Sequence, residues 1–303
     1  MPHSPLEQVT VICVTYQSES IIDSLGVTLQ AFPHVVIVDN GSSDATTARI
    51  SQRIPHARLI ARRDNIGFGA ANNEAMARVR TPFALLLNPD SSIDPTNLAI
   101  LLDTLDRHPD AAAVAPQSWR NDGKPQRSFR QAFYKIHGKK GRYEAAQATC
   151  CADWLHGSCL LLRTDTFKHV GGFDESFFLY YEDDDLCLRL QKAGHACLFE
   201  PRANARHVGA SSSTDEARTR FLKSFHYARS RHIALDKYVG RHAGNLYLAK
   251  ILAAALPAAL LYAILLQPRY AIRWAAWGCA GMTSLVQRAT GTARKVASRQ
   301  FLP

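Results

Sequence analysis

Val9-Thr10-Val11-Ile12-Cys13-Val14 is an unbroken apolar run rich in β-branched residues, and Val35-Val36-Ile37-Val38 repeats it before the polar turn Asp39-Asn40-Gly41-Ser42-Ser43-Asp44. Helical patterns over residues 20–32 and 46–54 follow the two runs, with Asp44 placed to cap the second. A short strand over 58–61, a helix over 69–79 and a third apolar run, Phe83-Ala84-Leu85-Leu86-Leu87, continue the alternation. That run ends at Asn88-Pro89-Asp90. Asp94-Pro95 then opens a helix with Leu98, Leu101, Leu102 and Leu105 on one face. Strands apolar along their whole length, alternating with helices, predict an α/β fold with a mostly parallel sheet covered on both faces. Ligands of such sheets sit beyond the carboxyl ends of the strands. The polar clusters after Val38 and after Leu87 fall there.

The second half is less regular. Residues 118–143 are rich in Gly, Lys and Arg and read as a long mobile loop. Strands are expected at 158–163, 196–199 and 205–208. Helices are expected at 164–170, stopped by Gly171-Gly172, at 182–193, and at 216–238, the last strongly basic. No internal repeat is present.

The 303 residues suffice for one large α/β core with a small annex. A net charge of +10 asks for an anionic partner: a nucleotide, a nucleic acid or an anionic membrane face. The chain carries no nucleic-acid-binding motif, so nucleic acid is not expected. Seven cysteines without paired spacing, two of them adjacent at Cys150-Cys151, predict packing thiols in a reducing, cytoplasmic compartment. Residues 1–8 lack the basic-then-apolar pattern of a secretion signal. From Leu246 onward the character changes. Residues 251–266 are almost wholly apolar, with Pro257 in the middle, and Arg269, Arg273, Arg288, Arg294, Lys295 and Arg299 follow. A buried core helix, a single span and a hairpin lying in the interface all fit that stretch. The basic flank with Trp274 and Trp277 favours an anionic membrane surface. The expected division is a domain over 1–240 and an apolar and basic helical segment over 241–303.

Gly171-Gly172-Phe173-Asp174-Glu175-Ser176-Phe177-Phe178-Leu179-Tyr180-Tyr181-Glu182-Asp183-Asp184-Asp185-Leu186 sets four consecutive acids directly after an aromatic patch. Adjacent carboxylates repel, so such a cluster serves chemistry or opens a helix at its positive dipole end. At the border of an apolar wall one of them is a candidate general base or metal neighbour. Asp39, at a strand end beside a Gly-Ser-Ser turn, can accept hydrogen bonds from a nucleobase or ribose, or bond its own turn; position alone slightly favours the turn. Asn65-Ile66-Gly67-Phe68-Gly69-Ala70-Ala71-Asn72 opens a helix as a nucleotide-contacting loop does, without the third glycine of a dinucleotide fingerprint. Asp90 offers one hard oxygen ligand for Mg²⁺ or Mn²⁺, and His207 is a candidate second, although a lone histidine is more often a core residue.

In order along residues 8–240, VTVICVTYQSE, VDNGSSD, NIGFGAAN, LLLNPDSSID, WLHGSCLLLR, GGFDESFFLYYEDDDLCLRL and ARHVGASS resemble a family 2 glycosyltransferase, most of all the bacterial rhamnosyltransferase-like branch that builds cell-surface polysaccharides. The resemblance implies a GT-A fold and inverting transfer from a nucleoside-diphosphate sugar to a hydroxyl. It implies that Thr15, Tyr16 and Asp39 hold a pyrimidine nucleoside, and that Asn65, Gly67, Asn72 and Asn88 lie near the donor. Asp90 matches the last acid of a metal motif that commonly reads Asp-x-Asp; with Asn88 at its first position the metal is less charge-compensated. His207 matches a further metal ligand and Asp183 the catalytic base. Trp154, in Trp-x-x-Gly, matches an aromatic that stacks on the acceptor sugar, with Glu182 and Asp185 orienting base or acceptor. Arg229 and Arg231 read either as phosphate contacts or as a solvated basic face. From this likeness the expected donor is a dTDP- or UDP-sugar, with dTDP-rhamnose first. The expected acceptor is a polyprenyl-diphosphate-linked glycan, clamped by Lys139, Lys140 and Arg142, at the cytoplasmic face of the cell membrane. Two alternatives stand: a polyprenyl-phosphate sugar synthase of the same fold, whose phosphate nucleophile needs no strong base, and a non-catalytic nucleotide-sugar-binding module.

Overall fold

The computed structural model describes residues 4–135, 146–208 and 217–290. The elements alternate through the first half: β1 (Val9–Thr15), α1 (Ile22–Leu29), β2 (His34–Asp39), α2 (Thr46–Arg53), β3 (Arg58–Ala61), α3 (Phe68–Met76), β4 (Phe83–Leu87), β5 (Ser91–Ser92), α4 (Pro95–Arg107) and β6 (Ala111–Trp119). There follow β7 (Phe129–Arg130), β8 (Cys150–Cys151), β9 (Trp154–Leu155), β10 (Cys159–Arg163), α5 (Thr164–His169), α6 (Glu182–Lys192) and β11 (Ala196–His207). The C-terminal helices are α7 (Ala217–Tyr238), α8 (Arg241–Ile264) and α9 (Pro268–Thr290). The chain forms two compact units, one of Met1–Asp174 with Asp183–Ser213 and one of Glu175–Glu182 with Thr214–Pro303.

In the first unit, nine strands among the described residues make one sheet in the order β3-β2-β1-β4-β10-β6-β11-β5, with β8 beside β11. The pairings point β1, β2, β3, β4, β6 and β11 one way and β5, β8 and β10 the other. The mostly parallel sheet read from the sequence is therefore present, with β10 inserted against its direction between β4 and β6. Both faces are covered. Val9, Val11, Cys13, Leu85 and Leu161 pack with Leu25, Ile50 and Leu98 on one side. Ile12, Val38, Leu86, Leu160 and Leu162 pack with Ala71, Phe167 and Leu186 on the other. Burial on both faces explains why these strands are unbroken apolar runs; each fully buried Val, Ile or Leu contributes about 1.5–3 kcal/mol. Asp94 caps α4 by accepting from the Asn97 amide at 2.9 Å, with Pro95 in the first turn. Asp44 accepts from the Thr46 amide and hydroxyl, one residue before the cap of α2.

Two expectations are corrected. Residues 118 and 119 are not loop but the end of β6. Trp119 also bridges to Pro125, and further on Phe129–Arg130 pairs with Trp154–Leu155. Lys139, Lys140 and Arg142 lie outside the described residues. The two short strands expected at 196–199 and 205–208 are one strand, β11, whose register with β6 shifts between Glu200 and Asn204.

In the second unit α8 and α9 form an antiparallel hairpin. Tyr262 stacks on Tyr270 at 5.1 Å, a Cβ on Gly278 would stand 2.9 Å from that of Ala255, and Arg288 bonds Asn245. α7 packs on α9 through Phe225, Ala228, Ala276 and Ala280. α8 is the one described helix long and apolar enough to cross a membrane; its most apolar stretch has mean hydropathy 1.8 and is only 17% buried. Arg229 is buried, with Nη1 bonded to the Ser176 carbonyl, and the Arg231 guanidinium lies over the Tyr247 ring at 5.3 Å. Neither is simply a solvated base, and the Arg229 head group is taken up by packing. Arg294, Lys295 and Arg299 lie outside the described residues.

Candidate active site

All the site residues carried by the sheet meet along one rim. β1, β2 and β4 end there with Thr15, Asp39 and Leu87, and β11 ends there with His207. β10 runs the other way, so it is its beginning that arrives at the rim, carrying His156, Gly157 and Ser158; the Asn88 amide donates to the Ser158 carbonyl at 2.9 Å.

At the β1–β2 end, Asp39 is buried. Its Oδ1 accepts from Thr15 Oγ1 at 3.0 Å and Ser42 Oγ at 2.6 Å, and its Oδ2 accepts from the Ser42 amide at 3.0 Å. The turn bond is thus made, and Oδ2 keeps one lone pair for a further donor. Tyr16 stands exposed beside it. The neighbouring Asn40 fixes the 65–67 loop. Its Nδ2 donates to Asn65 Oδ1 at 2.9 Å and to the Gly67 carbonyl at 3.3 Å, and its Oδ1 accepts from the Ile66 amide at 3.0 Å. Gly41, at φ +82°, lies so close to this loop that a Cβ would be 2.8 Å from the Asp64 carbonyl carbon. Asn65 and Gly67 are therefore brought to the rim. Asn72 is not: it is buried on α3, with Nδ2 bonded back to the Phe68 carbonyl at 2.9 Å.

Past β4, the short antiparallel pairing of β5 with β11 sets His207 opposite Ser91 and brings its Nε2 to 3.3 Å from Asp90 Oδ1. His207 Nδ1 lies 2.8 Å from Gln126 Oε1, an acceptor, so Nδ1 carries a proton; in the neutral imidazole the Nε2 lone pair faces the carboxylate. Two acceptors at that distance call for a proton or a cation between them. A bond donated to Gln126 is of the kind that orients metal-binding histidines. Asn88 Oδ1 is buried close by in sequence without a partner. Among the described residues no group of three His, Cys, Asp or Glu side chains gathers to hold a metal. Asp90 and His207 thus offer two ligands that would suit a divalent ion, the rest of whose ligands would have to come from substrate oxygens and water.

Across the rim α6 presents Asp183. Its Oδ2 lies 3.4 Å from the Gly157 amide and its Oδ1 accepts from the Asp184 amide at 2.9 Å. Asp184 is buried and paired with Arg130 at 2.7 Å; burial first, then Asp183, pushes its carboxyl up to about 7. The Arg130 guanidinium lies 4.2 Å from the centre of the Trp154 ring. Trp154 is 8% exposed, so the face expected to stack on a sugar is covered on one side, and what the residue offers is an indole N–H without a partner. Asp185 does not face an acceptor either: it is fully buried and bonded to Arg189 at 2.7 Å. That guanidinium also bonds the carbonyls of Val170 at 2.8 Å and Gly172 at 2.5 Å, which ties the glycine turn to α6. Glu182 is the buried first residue of α6. Tyr180 and Tyr181 before it both have positive φ, 69° and 68°, a strain that non-glycine residues keep where the surroundings impose it.

Sequence reasoning missed Asn40, Gln126, Arg130, Asp184 and His156. His156 lies inside the Trp-x-x-Gly pattern, in which the resemblance singles out only the tryptophan. Its ring centre is 5.5 Å from those of both Trp154 and His207. Burial holds its imidazole below the ordinary histidine value against the pull of Asp183.

Residues 7–224 match the family described as "Glycosyltransferase like family 2". The N-acetylglucosaminyl-diphospho-decaprenol L-rhamnosyltransferase of Mycobacterium tuberculosis is 32% identical over 237 residues, 67% of this chain and 76% of that protein. The rhamnosyltransferase WbbL of Escherichia coli is 28% identical over 180 residues, 53% of this chain and 66% of that protein. The solved mannosyltransferase PcManGT of Pyrobaculum calidifontis, in complex with GDP-Man and Mn²⁺, aligns with a TM-score of 0.55 at 15% identity, covering 94% of this chain and 88% of that one. TarS 1-349 of S. aureus in complex with UDP-GlcNAc aligns at 0.54 and 15%, covering 94% and 92%. These two establish the fold as GT-A. With well over half of its length matched, the chain belongs to glycosyltransferase family 2.

Proposed function

We propose that this glycosyltransferase moves a sugar, rhamnose by likeness to its relatives, from a pyrimidine nucleoside diphosphate to a hydroxyl of a polyprenyl-diphosphate-linked glycan, with inversion. The observation that carries the reading is the meeting on one rim of three kinds of group: the Thr15–Asp39–Ser42 cluster, the Asp90–His207 pair and Asp183. In this reading Asp39 Oδ2 accepts from the base, beside the exposed Tyr16 ring, and the loop stapled by Asn40 lies along the sugar nucleotide with Asn88. Asp90 and His207 would hold Mg²⁺ or Mn²⁺, which when bound neutralises the departing diphosphate. Asp183 takes the proton of the acceptor hydroxyl as its oxygen bonds to the anomeric carbon; the bond from that carbon to the diphosphate oxygen breaks, and the electron pair leaves with the diphosphate. Trp154 and Glu182 are the acceptor-side residues.

We place the enzyme at the cytoplasmic face of the cell membrane, held peripherally by the α8–α9 hairpin. The long exposed apolar side of α8 supports this, with Arg269 and Arg273 close by in sequence.

Calorimetric titration with dTDP, UDP and GDP, each with and without Mn²⁺, tests the donor site. The expected result is binding of one pyrimidine diphosphate, tightened by Mn²⁺. Folded protein that binds none of the three would overturn the reading in favour of a module without transferase activity.

A further inference from the structure

His156 stands between the groups assigned to the leaving diphosphate and the group assigned to the acceptor. On one side its ring meets that of His207, and the adjoining Gly157 amide touches Asp183 on the other. Its orientation is fixed locally. Nδ1 accepts the Ser158 amide at 3.2 Å and also faces Ser158 Oγ at 2.7 Å. A ring nitrogen that accepts an amide proton carries none, so the imidazole proton is on Nε2. Nε2–H has no acceptor among the described residues, and the Trp154 indole N–H beside it is buried without one as well. A buried donor without an acceptor, as the Trp154 indole is, is uncommon, because it costs the free energy of a lost hydrogen bond; His156 itself is half-buried, its Nε2–H unpartnered among the described residues. Here the two donors flank a rim to which the substrates bring oxygens.

The geometry also limits what His156 can do. Its only lone pair is spent on Ser158, so it is not a second base for the acceptor hydroxyl. As a neutral donor it does not repel a cation at Asp90 and His207, which a lysine or arginine in the same place would. Resting on the glycosyltransferase reading above, we propose that His156 Nε2–H donates a hydrogen bond to an oxygen of the sugar-bearing phosphate, and so stabilises the charge that grows there as the sugar leaves. A fixed donor aimed at developing charge favours the transition state over the ground state.

The test separates the two ring nitrogens. His156→Asn keeps an acceptor near Nδ1 for Ser158 and removes the donor at Nε2; His156→Gln keeps an N–H at the reach of Nε2. Both, with wild type, are titrated with dTDP and UDP and with the monophosphates dTMP and UMP, all with Mn²⁺. A single hydrogen bond to a charged oxygen predicts that His156→Asn binds the preferred diphosphate on the order of tenfold more weakly, with monophosphate affinity within about twofold of wild type. His156→Gln is expected to recover most of the diphosphate affinity. Unchanged diphosphate binding by His156→Asn, or equal weakening of mono- and diphosphate, would overturn the assignment while the transferase reading stands. Wild-type protein that binds no pyrimidine diphosphate would overturn both.

Discussion

Asp183 and Asp184 are neighbours in sequence with opposite surroundings. Asp183 lies along the Gly157 amide, whereas Asp184 is buried against Arg130 and raised to about 7. Replacing Asp183 by Asn is expected to leave binding of the preferred nucleoside diphosphate within about twofold and to lower turnover by at least about a hundredfold, the usual scale of a general base. Transfer at the wild-type rate would remove Asp183 from that role and favour the phosphate-acceptor alternative. Asp184 gives a stability signature. Its folded value lies above the ordinary 3.8, so between pH 4 and 7 the folded chain keeps a proton that the unfolded chain has released. This contribution favours folding at low pH and is lost as pH rises toward 7. Asp184→Asn should therefore gain stability relative to wild type from pH 4 to pH 8, by on the order of 2–4 kcal/mol, in urea unfolding at each pH. A constant difference across that range would show that Asp184 does not titrate there. The acids at strand ends were legible in the sequence because the fold rule says where strand ends point. Asp184 and Arg130 were not, since their pairing joins a two-residue strand to a helix 54 positions away. Trp154 was legible as a candidate acceptor-side residue but not as a covered one, because burial of an indole face leaves no mark on local sequence.

The turn Gly171-Gly172 is an element with a clear division of labour. Both glycines have positive φ, 83° and 67°. A Cβ on Gly171 would meet nothing within 4 Å, whereas one on Gly172 would come 2.5 Å from Asn73 Oδ1. Asn73 is itself bonded in both directions to Phe173, through Nδ2 at 2.9 Å and Oδ1 at 2.8 Å, so it cannot withdraw cheaply. Gly171→Ala should cost only backbone strain, about 1 kcal/mol, while Gly172→Ala should cost about 3 kcal/mol or more in urea unfolding. Equal costs would show that the Asn73 contact is not rigid. The regular first half of the sheet could be read because β1, β2 and β4 are buried on both faces and say so in composition. β6 could not: Ala111-Ala112-Ala113 has weak strand preference and Pro116 argues against a central strand. Pro116 is instead accommodated opposite Glu200, where the register with β11 shifts.

At the scale of the whole molecule, the α8–α9 hairpin leaves Leu256, Leu260, Ile264 and Leu266 between 56% and 87% exposed. A row of large apolar side chains that open to solvent is uncommon unless something covers it. If that cover is an anionic bilayer, the full chain should sediment with vesicles containing phosphatidylglycerol, and less so with phosphatidylcholine alone or at 0.5 M salt. Leu260→Asp with Ile264→Asp should reduce binding at least about tenfold, since each buried aliphatic side chain contributes about 1.5–3 kcal/mol. Vesicle binding unaffected by the double change would remove the hairpin from the attachment. The same chain-wide view bears on how the enzyme comes into being. Asp90 meets His207 only through the pairing of Ser91 and Ser92 with the last strand of the sheet. At a synthesis rate of about 5–20 residues per second, the histidine leaves the ribosome roughly 6–23 seconds after its partner. If the rim binds as proposed, a nascent chain halted before that point carries Thr15, Asp39 and Ser42 but only one of the two residues proposed for the cation, so a metal held by that pair cannot help to stabilise it while it is being made.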